Sequence, residues 1–294
     1  MAALVSVPTP TQFLGRSKIM MQQKNQDMAK LRKISVNCLS SDYDGTISPL
    51  NILRVESHIP LQTRVALRQI GNLLPISIIT MKDLPFIMPR TPFAQAWSAI
   101  GGLEMRIDKR VLKRENLERR LANVVLALNY ARSHISSSGF EIEEKQDSEG
   151  HPVAFCLDWR RAEDPKAARQ EADGIAAFCE ALELKVLKYE TQPFYDVYPV
   201  APDKGVALQE MLNELGVKNG VLYMGDSKTD NSAFKAASVG LGVVHEETSI
   251  QSLKSDYLVK FENVPYFLHT LFLNDLVFNP DFPMIKINPN RGRE

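Results

Sequence analysis

Apolar and polar positions alternate along this chain in two rhythms, and the change from one to the other divides it into regions. Residues 34–40 form a mostly apolar run ending in a polar turn, the pattern of a strand. Residues 61–74 follow with Leu61, Val65, Leu67, Ile70 and Leu74 at helical spacing, and residues 76–79, three isoleucines around Ser77, read as a short strand covered on both faces. Near the other end, residues 204–215 read as a helix, 220–224 as a strand, 232–237 as a helix start and 239–244 as a strand. Alternating strand and helix of this kind predicts a doubly wound α/β sheet.

The middle has a different rhythm. Residues 115–134 predict a long amphipathic helix (Leu117, Leu121, Val124, Val125, Leu128, Ala131), followed by strands at 140–144 and 153–159 around the turn-like 147–150. A second helix is expected over 165–182, with Pro165 in its first turn, then strands at 184–189 and 194–198. The order αββαββ implies an antiparallel sheet backed by two helices. The expected organisation is an α/β core of two pieces, 31–111 and 196–276, interrupted by an inserted α+β unit at 112–195. Residues 1–30 carry little structure signal and read as an arm without regular structure, with a leader or an upstream start as the alternatives; residues 277–294 form a tail that either covers the core or stays loose.

Composition narrows the function classes. Hydrophobic residues make up 44% of the 294 and charged residues 24%, values of an ordinary globular chain. Thirty-five Lys and Arg balance thirty-five Asp and Glu, so no basic excess supplies phosphate affinity for a nucleic-acid partner. No apolar stretch approaches the ~20 residues needed to cross a bilayer, so no membrane partner is expected. Cys38, Cys156 and Cys179 form no C-x-x-C pair and read as buried free thiols in a reducing compartment, which points to the cytoplasm. The five histidines do not cluster, and His134 and His245 read as structural or surface residues.

The chemistry lies at strand ends. Ser41-Asp42-Tyr43-Asp44-Gly45-Thr46 follows the first strand directly, where open α/β sheets bind ligands. An Asp-Gly turn alone would account for part of it. Gly225-Asp226-Ser227-Lys228-Thr229-Asp230 again follows an apolar strand, and its two carboxylates suit a hard cation such as Mg²⁺. A capped helix start explains either acid singly but not two acidic turns behind two buried strands. Thr80, ending the strand at 76–79, offers a hydroxyl to a phosphoryl oxygen, and Lys204 opens a helix after the insertion, where it would neutralise phosphate charge.

In this order, D-x-D-G-T, a lone Thr, a Lys and G-D-x-x-x-D resemble the haloacid dehalogenase superfamily of phosphohydrolases over residues 33–275. The resemblance implies a doubly wound, Rossmann-type core with an inserted αββαββ cap of the C2B type. It also implies a Mg²⁺ cofactor bound by Asp42, Asp226, Asp230 and the backbone carbonyl of Asp44. The catalytic residues would be Asp42 as nucleophile, Asp44 as acid and base, and Thr80 and Lys204 on the phosphoryl oxygens. Within that group, Gly101-Gly102-Leu103-Glu104, Asp158-Trp159-Arg160-Arg161-Ala162 and Asp196-Val197-Tyr198-Pro199 look most like segments of trehalose-6-phosphate phosphatases. The expected substrate is therefore a small phosphosugar, trehalose 6-phosphate first, read by Glu143, Lys145, Arg160 and Asp196. The chain departs from that family at Met81-Lys82, where relatives have Gly-Arg, and at Asp158, Tyr198 and Gln192, which replace His, Arg and Lys. These departures touch the sugar side and leave the catalytic set intact. Other phosphosugar phosphatases (sucrose-phosphate or mannosylglycerate-phosphate type), a phosphomannomutase-like mutase and a regulatory pseudophosphatase are the alternatives. The oligomeric state is not legible.

Overall fold

The computed structural model describes residues 33–291, apart from 51, 53, 116, 190, 191 and 247–249. The arm expected at 1–30 lies outside the described residues. In chain order the elements are β1 (Ile34–Ser35), β2 (Cys38–Ser41), α1 (Leu61–Gly71), β3 (Ile76–Ile79), α2 (Leu84–Arg90), β4 (Ala96–Ala99), β5 (Glu104–Ile107) and β6 (Arg110–Lys113). There follow α3 (Glu118–His134), β7 (Glu141–Gln146), β8 (Pro152–Asp158), α4 (Pro165–Ala181), β9 (Lys185–Lys188) and β10 (Phe194–Tyr198). The chain continues with α5 (Lys204–Glu214), β11 (Val221–Gly225), α6 (Asn231–Ala236), β12 (Val239–Val244), β13 (Tyr257–Lys260), α7 (Val264–Leu273), β14 (Val277–Phe278) and β15 (Lys286–Ile287).

The fold is α/β, doubly wound, with an inserted α+β cap. Nine strands form the large sheet in the order β15-β13-β12-β11-β2-β3-β4-β5-β6. The six from β13 to β4 run parallel, and antiparallel strands finish both edges. Alternate residues of β2 and β11 face opposite helical layers. Leu39, Leu222 and Met224 pack with α1 and α7, through residues such as Leu67, Ile70, Phe267 and Leu271. Cys38, Val221 and Tyr223 pack with α5 and α6, through Leu208, Met211 and Phe234. All four residues of β3 are buried, three of them isoleucine, and its one polar residue, Ser77, is satisfied by the Ser40 hydroxyl at 2.6 Å.

Strands β7, β8, β10 and β9, in that order, make a separate antiparallel sheet. One of its faces, with Phe155, Leu157 and Val197, packs on α3 and α4 through Val124, Leu128, Ala172 and Ile175. The other face carries Glu143, Cys156 and Asp196 in directly paired positions, so its polar residues point away from the helices.

Several elements differ from the sequence pattern for identifiable reasons. The run at 34–40 is two strands with different partners: β1 pairs with β14, and β2 lies between β11 and β3. The buried stripe of α1 is Thr63, Ala66, Leu67 and Ile70, while Leu61 and Val65 are exposed. Strand β6 joins the large sheet and β10 extends the small sheet to Tyr198, so the small unit lies between Lys113 and Tyr198. The tail covers the core: β14 and β15 pair with β1 and β13, and Phe278, Phe282, Met284 and Ile285 are buried. All three cysteines are buried and free.

Candidate active site

Strand β2 is the switch point of the large sheet, with β3 on one side and β11 on the other. Chain crossovers leave in opposite directions here, opening a crevice at the carboxyl ends of the three strands. Asp42 follows β2, Thr80 follows β3 and Asp226 follows β11, so the sheet itself brings these three together. The backbone N–H of Asp42 donates to the Met224 carbonyl at 2.9 Å and that of Thr80 to the Ser98 carbonyl at 2.9 Å, so each is fixed by a ladder-type bond.

Lys204 arrives from the opposite direction as the first residue of α5. Asp203 caps that helix, its carboxylate accepting from the N–H groups of Gly205 (2.8 Å) and Val206 (3.1 Å). The Lys204 ammonium, 2% exposed as a residue, donates to Asp42 Oδ2 at 2.6 Å and to Asp230 Oδ1 at 2.7 Å. Burial alone would lower its pKa, but Asp230 and Asp42 more than offset that and hold it above the ordinary lysine range.

Asp230 is fully buried and heavily bonded. Its Oδ1 also accepts from the Tyr223 hydroxyl at 2.6 Å; its Oδ2 accepts from the N–H groups of Asp226 and Ser227 and from the Ser227 hydroxyl, closing a capping box. Asp230 therefore fixes the turn that aims Asp226. Among the described residues, the Asp226 carboxylate accepts only a long 3.4 Å contact from the Thr46 hydroxyl. Its pKa is raised well above the usual range by burial first, then by the charges of Asp42 and Asp230. The Asp42 pKa is raised by burial, with Lys204 pulling against it. Gly45, at φ +72°, makes this proximity possible: a Cβ there would lie 2.2 Å from Asp226 Oδ2.

Oxygens of Asp42, Asp226 and Asp230 all lie within 4.8 Å of one another. Three buried carboxylates face one ammonium, leaving an excess of negative charge that a divalent cation would balance. The donors are all hard oxygens, which suits Mg²⁺. Of the three, Asp226 has the carboxylate least committed to protein donors.

Asp44 sits at the mouth, its side chain 37% exposed and 3.8 Å from the Lys82 ammonium. The cleft walls raise its pKa by desolvation while Lys82 opposes the shift. Lys82 also pairs with Glu143, which lines a cavity of about 450 Å³ together with Ile52, Arg54, Glu141, Asp158, Arg160 and Arg161, among others. The charges of the cavity are paired. Asp158 holds Arg160 through Nε at 2.9 and 3.0 Å and through Nη2, Glu141 lies 4.0 Å from Arg161, and Glu143 accepts from Arg54 at 2.6 Å.

Glu143 and Arg160, expected on the sugar side, both line this cavity. Lys145 and Asp196 do not line it. They are buried against each other at 2.6 Å, with the Tyr198 hydroxyl 3.1 Å from Lys145 and the Tyr189 hydroxyl donating to Asp196 at 2.9 Å. Arg54, Lys82, Tyr223 and His245 were not selected from the sequence. His245, read as structural or surface, has Nε2 2.6 Å from the Gly45 carbonyl and stacks on Phe261. Lys82 was visible only as a departure from a motif, and Arg54 stands in an irregular stretch with no pattern around it.

No family model and no curated protein matches the chain. Solved structures do match. A trehalose-6-phosphate phosphatase related protein aligns at TM-score 0.66 and 17% identity, over 81% of this chain and 98% of its own. The C-terminal domain of C. albicans trehalose-6-phosphate phosphatase aligns at 0.60 and 16%, over 81% and 92%. A haloacid dehalogenase-like hydrolase from Bacteroides thetaiotaomicron aligns at 0.61 and 14%, over 80% and 99%. The chain has the fold of these proteins.

Proposed function

We propose that this chain of haloacid dehalogenase-like fold is a Mg²⁺-dependent phosphatase of sugar phosphates, acting through an aspartyl-phosphate on Asp42. The observation that carries the reading is the pairing of two aspartates two residues apart in opposite environments. Asp42 is buried against Lys204, and the more exposed Asp44 faces Lys82, which also pairs with Glu143 of the cavity lining.

Asp42 attacks phosphorus in line while the leaving oxygen departs toward the cavity. Asp44, with its raised pKa, gives a proton to that oxygen and later takes one from the water that hydrolyses the phosphoenzyme. Lys204 and the Thr80 hydroxyl hold phosphoryl oxygens, and Asp230 keeps Lys204 and the Asp226 turn in register. Asp42, Asp226 and the Asp44 carbonyl would bind Mg²⁺, which supplies the positive charge that offsets repulsion between a carboxylate and a phosphate.

Trehalose 6-phosphate leads among the substrates. The G-L-E, W-R-R-A and D-V-Y-P segments and two of the similar structures support it. The cavity lends partial support to an uncharged leaving group. Arg54 and Arg160 are held by carboxylates, which leaves Arg161, 4.0 Å from Glu141 and more than half exposed, as the one lining arginine among the described residues not tightly paired, for a second anionic group such as a glycerate carboxylate. Phosphate release across a panel of phosphosugars, with Mg²⁺ and with a chelator, tests the reading. Metal-dependent release with preference for an uncharged disaccharide phosphate is expected. Interconversion of phosphosugar isomers without release would favour the mutase, and inertness toward the whole panel would overturn the phosphatase.

A further inference from the structure

The cap meets the core through an apolar contact, in which Val153, Ala154 and Tyr198 join the core cluster, and through a polar strip along the edge strand β7 and the hairpin that follows it. At the far end of the strip, Ser148 donates to the buried Glu104 of β5 through its N–H (3.1 Å) and hydroxyl (2.7 Å), and Lys113 of β6 meets Asp147 at 3.0 Å. At the near end, Gln146 donates its N–H to Asp83 at 3.3 Å, and Glu143 accepts from two core cations, Arg54 at 2.6 Å and Lys82 at 3.2 Å.

Arg54 is the joint of this near end. One guanidinium nitrogen reaches Glu143, and the other takes both oxygens of Asp83, at 2.6 and 2.8 Å. Its plane lies 4.5 Å from the Phe86 ring centroid. Asp83 is in turn the cap of α2, accepting from the Phe86 N–H at 3.1 Å. Both terminal nitrogens of the Arg54 fork are thus engaged by carboxylates, which holds the guanidinium between cap and core. Through Glu143 the same network reaches Lys82, and Lys82 stands 3.8 Å from Asp44.

We infer that Arg54 is a positioning residue that seats the cap: it ties Glu143 of the cap to Asp83 of the core and thereby sets Lys82 beside Asp44. The tie to catalysis rests on the proposed phosphatase reading; the seating itself does not. A large leaving group must be held between cap and core while Asp44 protonates it, so its turnover depends on the seated state. A small activated ester whose leaving group needs no proton does not.

Hydrogen exchange at the Gln146 and Ser148 amides, combined with kinetics, tests this on the full chain with Arg54→Ala, and with Arg54→Gln, which keeps the side-chain bulk. Both amides are bonded to core carboxylates, so unseating frees them. Exchange at both is expected to speed up about tenfold in either variant. The kcat/KM for the best phosphosugar should fall about tenfold while that for p-nitrophenyl phosphate stays within about twofold. Arg54→Lys should restore only part of the loss, since one ammonium does not span Asp83 and Glu143 as the fork does. Unchanged exchange at Ser148, remote from Arg54 along the strip, would overturn the seating role even if Gln146 loosened locally. Faster exchange with equal loss on both substrates would overturn the link to the leaving group. A wild-type protein inert toward every phosphosugar would remove the phosphatase reading, and the exchange result would still decide the seating.

Discussion

Asp226 carries the least compensated charge in the cluster. Asp42 and Asp230 share the Lys204 ammonium, whereas Asp226 has a long contact from Thr46 and two like charges as neighbours. Burying such a group costs stability unless a cation arrives. Asp226→Asn should therefore raise the stability of the metal-free protein by roughly 1 kcal/mol or more, while removing the response of activity to Mg²⁺. Thermal unfolding in chelator, with a Mg²⁺ titration of phosphate release, checks both halves. A lowered melting temperature in chelator would contradict the charge argument. At this scale the sequence was informative. Asp42 and Asp44, and likewise Asp226 and Asp230, were legible because each pair follows one buried strand within a few residues, and local order along the chain dictates their place. Arg54, Lys82 and Glu143 were not legible as a group, because they meet across 89 and 61 positions, and only the seating of one sheet against another brings them together.

At the scale of elements, α5 links helix capping to the proposed catalytic site. Asp203 holds the first turn, and Lys204 is the next residue, so the helix cap and the proposed catalytic ammonium share one piece of backbone. Asp203→Ala should cost about 1 kcal/mol of stability and lower kcat more than it changes KM, because Lys204 acts on the phosphoryl group and not on the sugar. Chemical denaturation and steady-state kinetics measure the two effects. An unchanged kcat would mean that Asp42 and Asp230 hold Lys204 without help from the cap. The long amphipathic elements were legible for the same physical reason, since a single buried stripe leaves a period in the chain. Helix α2 left none: it is seven residues with Pro85 and Pro89, and its start is set by the Asp83 side chain. Strands β4 to β6 are four residues each, too short for a period to show.

Taken whole, the molecule divides its work between a rigid sheet and a seated cap. The switch point at β2 positions the carboxylates, β15 finishes the sheet edge opposite the cap contacts of β5 and β6, and β14 pairs with β1 in a separate two-stranded sheet. The cap sheet turns its charged face, with Glu143 and its neighbours, toward the mouth where Asp44 stands. Its helices face away and supply only the packing. This division explains why the departures at Asp158 and Tyr198 leave the catalytic cluster untouched: Asp158 fixes Arg160, and the Tyr198 hydroxyl meets Lys145, both within the cap. The central claim is that Asp42 is phosphorylated during turnover. Rapid quenching of a single turnover with a ³²P-labelled phosphosugar, followed by peptide mapping, measures this directly. The account predicts transient label on the peptide holding Asp42, none in Asp42→Asn, and loss of the label as phosphate appears. Phosphate released at the normal rate with no label on the protein, or with label on any other residue, would contradict it.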